Sequence, residues 1–163
     1  EKNIFEIDNI LEGICVLLEK RLDNSGVELS MEVENRLKIE VSQTEIYQVF
    51  INMIINACDA LVESGQEEKK ILIKAHKIEE KRIEVRCVDN GPGIDSKIQE
   101  KIFERKFTTK GEKGSGIGLY VCKKIVESYG GDLRVESEPG LTEFIIDFPV
   151  ADMGLSSSSL IKN

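Results

Sequence analysis

No apolar run in the sequence approaches the roughly 18 residues of a membrane span. No secretory leader is visible, and the chain opens on Glu1 rather than Met. We therefore expect a cytoplasmic piece excised from a longer protein whose parent can still be membrane-anchored, with no membrane contact by this domain. There is no basic stripe: 22 Lys and Arg face 30 Asp and Glu, a net charge of −8. Nucleic-acid binding, which needs clustered cations, is not expected. No zinc spacing occurs. Cys15, Cys58, Cys87 and Cys122 are scattered through apolar stretches and read as reduced, buried thiols. The one histidine, His76, shares a strand face with Lys74 and reads as a solvated side chain without catalytic or metal duty. No GK[ST] follows a glycine run, which excludes a Walker loop. The glycines do not follow the first strand of a βαβ unit, which excludes the Rossmann fingerprint. No internal repeat is evident. The chain is 163 residues long and 40% hydrophobic, enough for one core. We expect one domain over 1–150. Residues 151–163, with four consecutive serines, read as a disordered tail or linker.

What is there is regular. IFEI (Ile4–Ile7) reads as a short strand, and Asp8 as the N-cap of a helix over Asn9–Leu22, with Ile10, Ile14, Leu17, Leu18 and Leu22 at helical spacing. Val27–Val33 alternates as a half-wet strand, and Leu37–Val41 as another. Ser42 with Glu45 makes a capping box for a helix to about Glu63. That helix is apolar on two sides: Ile46, Val49, Phe50, Met53, Ile54, Ala57 and Leu61 on one, Ile51, Ile55, Cys58 and Val62 on the other. Ile71–Ile78 and Arg82–Val88 pair as a hairpin around Glu79–Lys81. A short helix is expected from Asp95 or Ser96 to Phe103, then a mobile basic loop over 104–115. A helix over Gly116–Tyr129 ends at Gly130-Gly131. Leu133–Ser137 and Glu143–Pro149 form a second hairpin around Pro139-Gly140.

Three features carry chemistry. Asp89 is a carboxylate at the carboxyl end of a strand, followed by the turn of DNGPGI (Asp89–Ile94), where a ligand can approach the backbone closely. GEKGSGIGL (Gly111–Leu119) opens a helix. Its glycines Gly114, Gly116 and Gly118 let backbone N–H groups and the helix dipole face phosphates, a weak signal taken alone. Between the two apolar sides of the 42–63 helix runs a strip of Glu45, Gln48, Asn52, Asn56, Asp59 and Glu63. Asn52 and Asn56 are either hydrogen-bonded core polars or oxygen ligands for a Mg²⁺ that bridges phosphates. An acid, a helical Asn and two glycine loops make a phosphate-ligand pocket the economical reading.

In combination these boxes resemble the ATP-binding domain of sensor histidine kinases, within the gyrase, heat-shock chaperone, histidine kinase and mismatch-repair ATPases. The boxes are NMIINACDAL (Asn52–Leu61), VDNGPGI (Val88–Ile94), IFERKFTTK (Ile102–Lys110), GSGIGLYVCKKIVESYGG (Gly114–Gly131) and GLTEFIIDFP (Gly140–Pro149). The resemblance implies an α/β (α+β) two-layer sandwich. Its sheet is mixed, mainly antiparallel, and covered on one face by about three helices, with ATP between helices and a flexible lid. It implies that Asn56 binds Mg²⁺ and that Asp89 reads the adenine amine. Gly91 and Gly93 shape the floor of the base pocket with Ile94 beside them, and Lys110 comes from the lid to the phosphates. Gly114, Gly116 and Gly118, with Leu119, form the phosphate loop, and Thr142 lies beside Asp89. Asn52 is expected at the nucleotide. It occupies the place where hydrolytic members carry a Glu that activates water, and an amide cannot be a general base. The lid element Phe103-Glu104-Arg105-Lys106 departs from the usual Phe-x-Pro-Phe, and Asp59 stands where many of these kinases have Lys or Arg. His76 precedes Lys77 in a strand, so the acceptor histidine is expected on a dimerising hairpin absent from this chain. A homodimeric parent and a response-regulator receiver domain are the expected partners. A hydrolytic ATPase and a non-catalytic nucleotide-binding module are the alternatives.

Overall fold

The computed structural model describes residues 1–105 and 118–151. In chain order these form β1 (Asn3–Glu6), α1 (Ile7–Ser25), β2 (Val27–Val33), β3 (Lys38–Val41), α2 (Gln43–Ser64), β4 (Lys69–Glu79) and β5 (Arg82–Asp89). A 3₁₀ turn (Lys101–Phe103), α3 (Gly118–Ser128), β6 (Asp132–Glu138) and β7 (Leu141–Pro149) complete the order. The main sheet runs β2-β4-β5-β7-β6, and β1 pairs with β3 separately. β2 lies parallel to β4, and the other neighbours are antiparallel. The sheet is thus mixed and mainly antiparallel, as expected.

Periodicity decides which faces meet. α1 buries Ile7, Ile10, Leu11, Ile14, Leu18 and Leu22, a 3.6-residue stripe. It stops at Gly26, whose φ of 68° returns its N–H to the carbonyls of Leu22 and Asp23, the left-handed closure that glycine permits. α2 buries Ile46, Val49, Phe50, Met53, Ile54, Ala57, Cys58 and Leu61. Against the helices lie alternate strand residues: Ile71, Ile73 and Ala75 of β4, Ile83, Val85 and Cys87 of β5, Phe144, Ile146 and Phe148 of β7, and Leu133 of β6.

The opposite face of the sheet covers itself. Lys74, Arg86, Ile145 and Arg134 stand side by side across four strands. Ile145 is fully buried there, under the stems of long charged neighbours. Arg86 bonds Glu84 at 2.9 Å and Glu143 at 3.3 Å, and Arg134 reaches Glu84 at 3.6 Å. The hydrogen bond from Arg86 holds the Glu84 carboxyl below its ordinary range, against the opposing effect of burial. His76 sits at the exposed rim of this lattice, 3.3 Å from Glu84.

Several local expectations give way. α1 starts at Ile7 with Glu6 as N-cap, so Asp8 lies in the first turn, where its carboxylate accepts from the Asn9 N–H. Ser42 is the N-cap of α2, but its side chain makes no capping bond. Its N–H instead donates to the Tyr129 hydroxyl at 3.0 Å, and Glu45 hydrogen-bonds the same tyrosine. A tertiary partner has displaced the capping box. The helix expected over 95–103 is a series of turns ending in the 3₁₀ segment. Asp95 draws the Lys97 N–H to its side chain at 2.9 Å, a local bond that competes with helix. The second apolar side of α2 is only partly covered, with Ile51 and Ile55 half-buried and Val62 47% exposed. Although no membrane-length apolar run was expected, α2 has the length and apolar content of a span, which its buried core residues account for. Cys15 is half-exposed, while the other three thiols are buried and free. Ala151 belongs to the fold: it is buried, and its N–H donates to the Lys38 carbonyl at 2.8 Å. Residues 152–163 lie outside the described residues.

Candidate functional site

At one end of the sheet the apolar inner face turns polar. Ile71, Asp89, Thr142 and Ser137 are cross-strand partners in a single row over β4, β5, β7 and β6. Side chains alternate along a strand, so Asp89 follows Ile83, Val85 and Cys87 onto the helix side, and Thr142 precedes Phe144, Ile146 and Phe148 there. Asp89 is 3% exposed and Thr142 4%. Burial pushes the Asp89 carboxyl up to about 6, although the Gly91 N–H, 2.9 Å from Oδ1, favours the ionised form. A buried carboxylate with one N–H partner has lone pairs to spare, and no cation pairs with it among the described residues.

The turn behind Asp89 is built for close approach. A side chain at Gly91 would press on Asp89 Oδ1 at 2.7 Å and on Leu61 of α2 at 3.5 Å. Gly93 has φ +86°, and a Cβ there would run into the Glu138 carbonyl, so only glycine lets this loop lie against β6. Asn90 ties the loop to β4 by accepting from the Lys70 N–H at 2.8 Å and donating to the Glu68 carbonyl at 3.1 Å. Ile94 donates its N–H to Ser137 Oγ at 2.8 Å, and Gln99 caps the Ile94 and Ser137 carbonyls at 2.8 and 3.2 Å. Ser137 Oγ also lies 3.0 Å from Thr142 Oγ1.

α2 joins this floor to the start of α3. Leu61 faces Gly91, and Asn52, about two and a half turns earlier, faces Gly118: its Oδ1 lies 3.4 Å from where a Gly118 side chain would begin. Asn52 also hydrogen-bonds the Cys122 thiol, whose burial nonetheless pushes it up to about 11. Asn56 lies one turn from Asn52 on the same face, half-buried between these ends. Asp59 pairs with Arg21 of α1 at 3.1 Å, which gives it a structural partner away from the floor. Leu119 is half-buried in the first turn of α3. The structure thus groups Asp89, Gly91, Gly93, Ile94 and Thr142 at one end of α2, and Asn52, Gly118 and Leu119 along it. Lys110, Gly114 and Gly116, and nearly all of the loop expected as a lid, lie outside the described residues.

Sequence reasoning missed Ser137, Gln99 and Asn90. Ser137 had a signal: in Leu133, Val135, Ser137 it is the polar residue in apolar phase. A groove lined by Phe103, Tyr120, Lys123 and Val135, between the 3₁₀ turn, α3 and β6, holds none of the expected site residues.

A two-layer sandwich with an acid at a strand end, a tight glycine loop behind it and asparagines on the central helix is an arrangement that one ATPase family shares. Residues 41–152 match the family model of histidine kinase-, DNA gyrase B- and HSP90-like ATPases, and the chain belongs to that family. It is homologous to the catalytic domains of sensor histidine kinases. Sporulation kinase D of Bacillus subtilis (strain 168) is 38% identical over 134 residues, 82% of this chain and 25% of that protein. Signal transduction histidine-protein kinase AtoS of Escherichia coli (strain K12) is 32% identical over 150 residues, 91% of this chain and 24% of that protein. The chain therefore spans about a quarter of the length of these relatives. The nucleotide-free catalytic domain of histidine kinase ThkA superposes with a TM-score of 0.81 at 31% identity, covering 92% of this chain and 96% of that one. ThkA in complex with the response regulator TrrA matches with a TM-score of 0.76 at 28% identity, over 94% of this chain and 43% of that one.

Proposed function

We propose that this chain is the catalytic domain that holds Mg²⁺-ATP for transfer of its γ-phosphate to a histidine on a separate dimerising hairpin of the parent protein. The observation that carries the proposal is the buried Asp89, without a cation partner among the described residues, at the end of an otherwise apolar sheet face. An acid kept from water at 3% exposure is costly unless a donor-rich ligand meets it. The exocyclic amine of adenine is such a donor, and the lack of a side chain at Gly91 keeps clear the space beside Asp89 Oδ1 that a Cβ would take.

The donor set suits Mg²⁺, which takes one or two hard protein oxygens and completes its shell with phosphates and water. Asn56 supplies an amide oxygen; the ion, when bound, neutralises phosphate charge. Gly114, Gly116 and Gly118 present backbone N–H groups to the phosphates, and Lys110 adds a cation. Asn52 has no basic site with which to take a proton from water. The absence of that base keeps the γ-phosphate for the histidine rather than for hydrolysis. A receiver domain then accepts the phosphoryl group, and the parent works as a homodimer whose catalytic domains face the cytoplasm.

The test mixes the chain with its parent's helical hairpin and γ-labelled ATP. Acid-labile, base-stable label on the hairpin, lost when Asp89→Ala or Asn56→Ala is used, is the expected result. Release of free phosphate by the chain alone, with no label on the hairpin, would overturn it.

A further inference from the structure

The polar row at the sheet end can be read proton by proton. Ser137 has one hydroxyl proton and two lone pairs. It can give that proton to the Leu141 carbonyl at 3.1 Å or to Thr142 Oγ1 at 3.0 Å. One lone pair takes the Ile94 N–H at 2.8 Å. With that proton on the Leu141 carbonyl, the contact with Thr142 Oγ1 is made with the threonine as donor. In that arrangement Thr142 spends its single proton on Ser137 and keeps only lone pairs for anything on its other side. Its cross-strand neighbour Asp89 is, when ionised, also acceptor-only.

We propose that Ser137 is a specificity-determining positioning residue: by drawing the Thr142 proton away from the site, it makes the Asp89–Thr142 pair a purely accepting edge that selects 6-aminopurine nucleotides over 6-oxopurines. The inference rests on the nucleotide reading above and deepens it. A 6-amino group supplies two N–H donors to such an edge, one directly and one through a water. A 6-oxo group sets a third acceptor against two; its N1–H is the one donor beside it, so one buried acceptor stays unpaired, and such a site rejects a ligand strongly. Freed from Ser137, the Thr142 hydroxyl can turn its proton toward a carbonyl oxygen.

The test measures ATP and ITP affinities for the full 163-residue chain by calorimetry. Ser137→Ala should lower the ATP-to-ITP affinity ratio about tenfold, mostly through tighter ITP, as one hydrogen bond of ordinary strength changes sides. Ser137→Thr, which keeps the hydroxyl, should restore the ratio. Ser137→Cys, of similar size and a weak acceptor, should behave as Ala does and stands in if Ser137→Ala fails to fold. A proportional fall in both affinities, or an unchanged ratio in both Ala and Cys variants, would leave Ser137 a loop anchor only and overturn the proposal. Asp89→Ala separates the two levels. If it leaves ATP affinity unchanged, the base-pocket reading itself fails; if it weakens ATP while the Ser137 variants keep the ratio, only the role of Ser137 falls.

Discussion

Replacing Asp89 by Asn should stabilise the empty domain while weakening the nucleotide complex. The carboxyl moves from an ordinary 3.8 to about 6 on folding, chiefly through burial. Between those values the folded chain holds a proton that the unfolded chain has released, so stability falls as pH rises and the full penalty is present above about 6. Two pH units at about 1.4 kcal/mol each make roughly 3 kcal/mol. Asn keeps the oxygen that accepts the Gly91 N–H and carries no charge, so Asp89→Asn should recover up to about 3 kcal/mol at about pH 7.5 and almost nothing near pH 4. Urea unfolding of both proteins across that range reads the difference directly. ATP affinity should fall roughly tenfold, because a neutral acceptor replaces a charged one. A destabilised Asp89→Asn near pH 7.5, or a stability difference that does not change with pH, would refute the burial argument.

Asn56→Ala should cost roughly tenfold or more in Mg²⁺-ATP affinity by calorimetry, with a much smaller effect on metal-free ATP, because it removes an oxygen offered to the ion. Gly93→Ala, at φ +86° and against the Glu138 carbonyl, should destabilise the fold by about 2 kcal/mol or more. Gly26→Ala, at φ +68° with open space around it, should lose only about 1 kcal/mol of left-handed strain; thermal melts compare the two. Phe148→Ala, at 1% exposure and edge-on to Phe50, should lose about 3–5 kcal/mol in urea unfolding. Arg21→Ala breaks an ion pair whose arginine is 52% exposed and should change stability by less than about 1 kcal/mol.

The strands and the two hairpins were legible because period-2 alternation in β2, β4, β5 and β7 is strong and local. Asp89 was legible for the same reason: a charge in the apolar phase, followed by Gly-Pro-Gly. What could not be read were partners supplied from far along the chain. Ser42 and Glu45 look like a capping box until Tyr129, 87 residues from Ser42, takes the N–H. The 95–103 segment holds helix formers, but Asp95 turns it locally and Gln99 is drawn to Ser137. The two apolar sides of α2 predicted burial on both, yet sequence alone does not say that only one side meets the sheet. Asn52 and Asn56 stayed open between core polar and ligand, and the contact of Asn52 with Gly118 and Cys122 shows why: the residue serves the packing of α3 whatever else it touches.

The central claim, a pocket for Mg²⁺-ATP read by Asp89 and Asn56, is tested most directly by titrating ATP into the chain with and without Mg²⁺, beside the Asp89→Ala and Asn56→Ala variants. The account predicts 1:1 binding that tightens with Mg²⁺, falls roughly ten- to a hundredfold in Asp89→Ala in either condition, and loses its Mg²⁺ dependence in Asn56→Ala. Binding that neither variant weakens, or no binding by the wild-type chain at millimolar ATP, would contradict it.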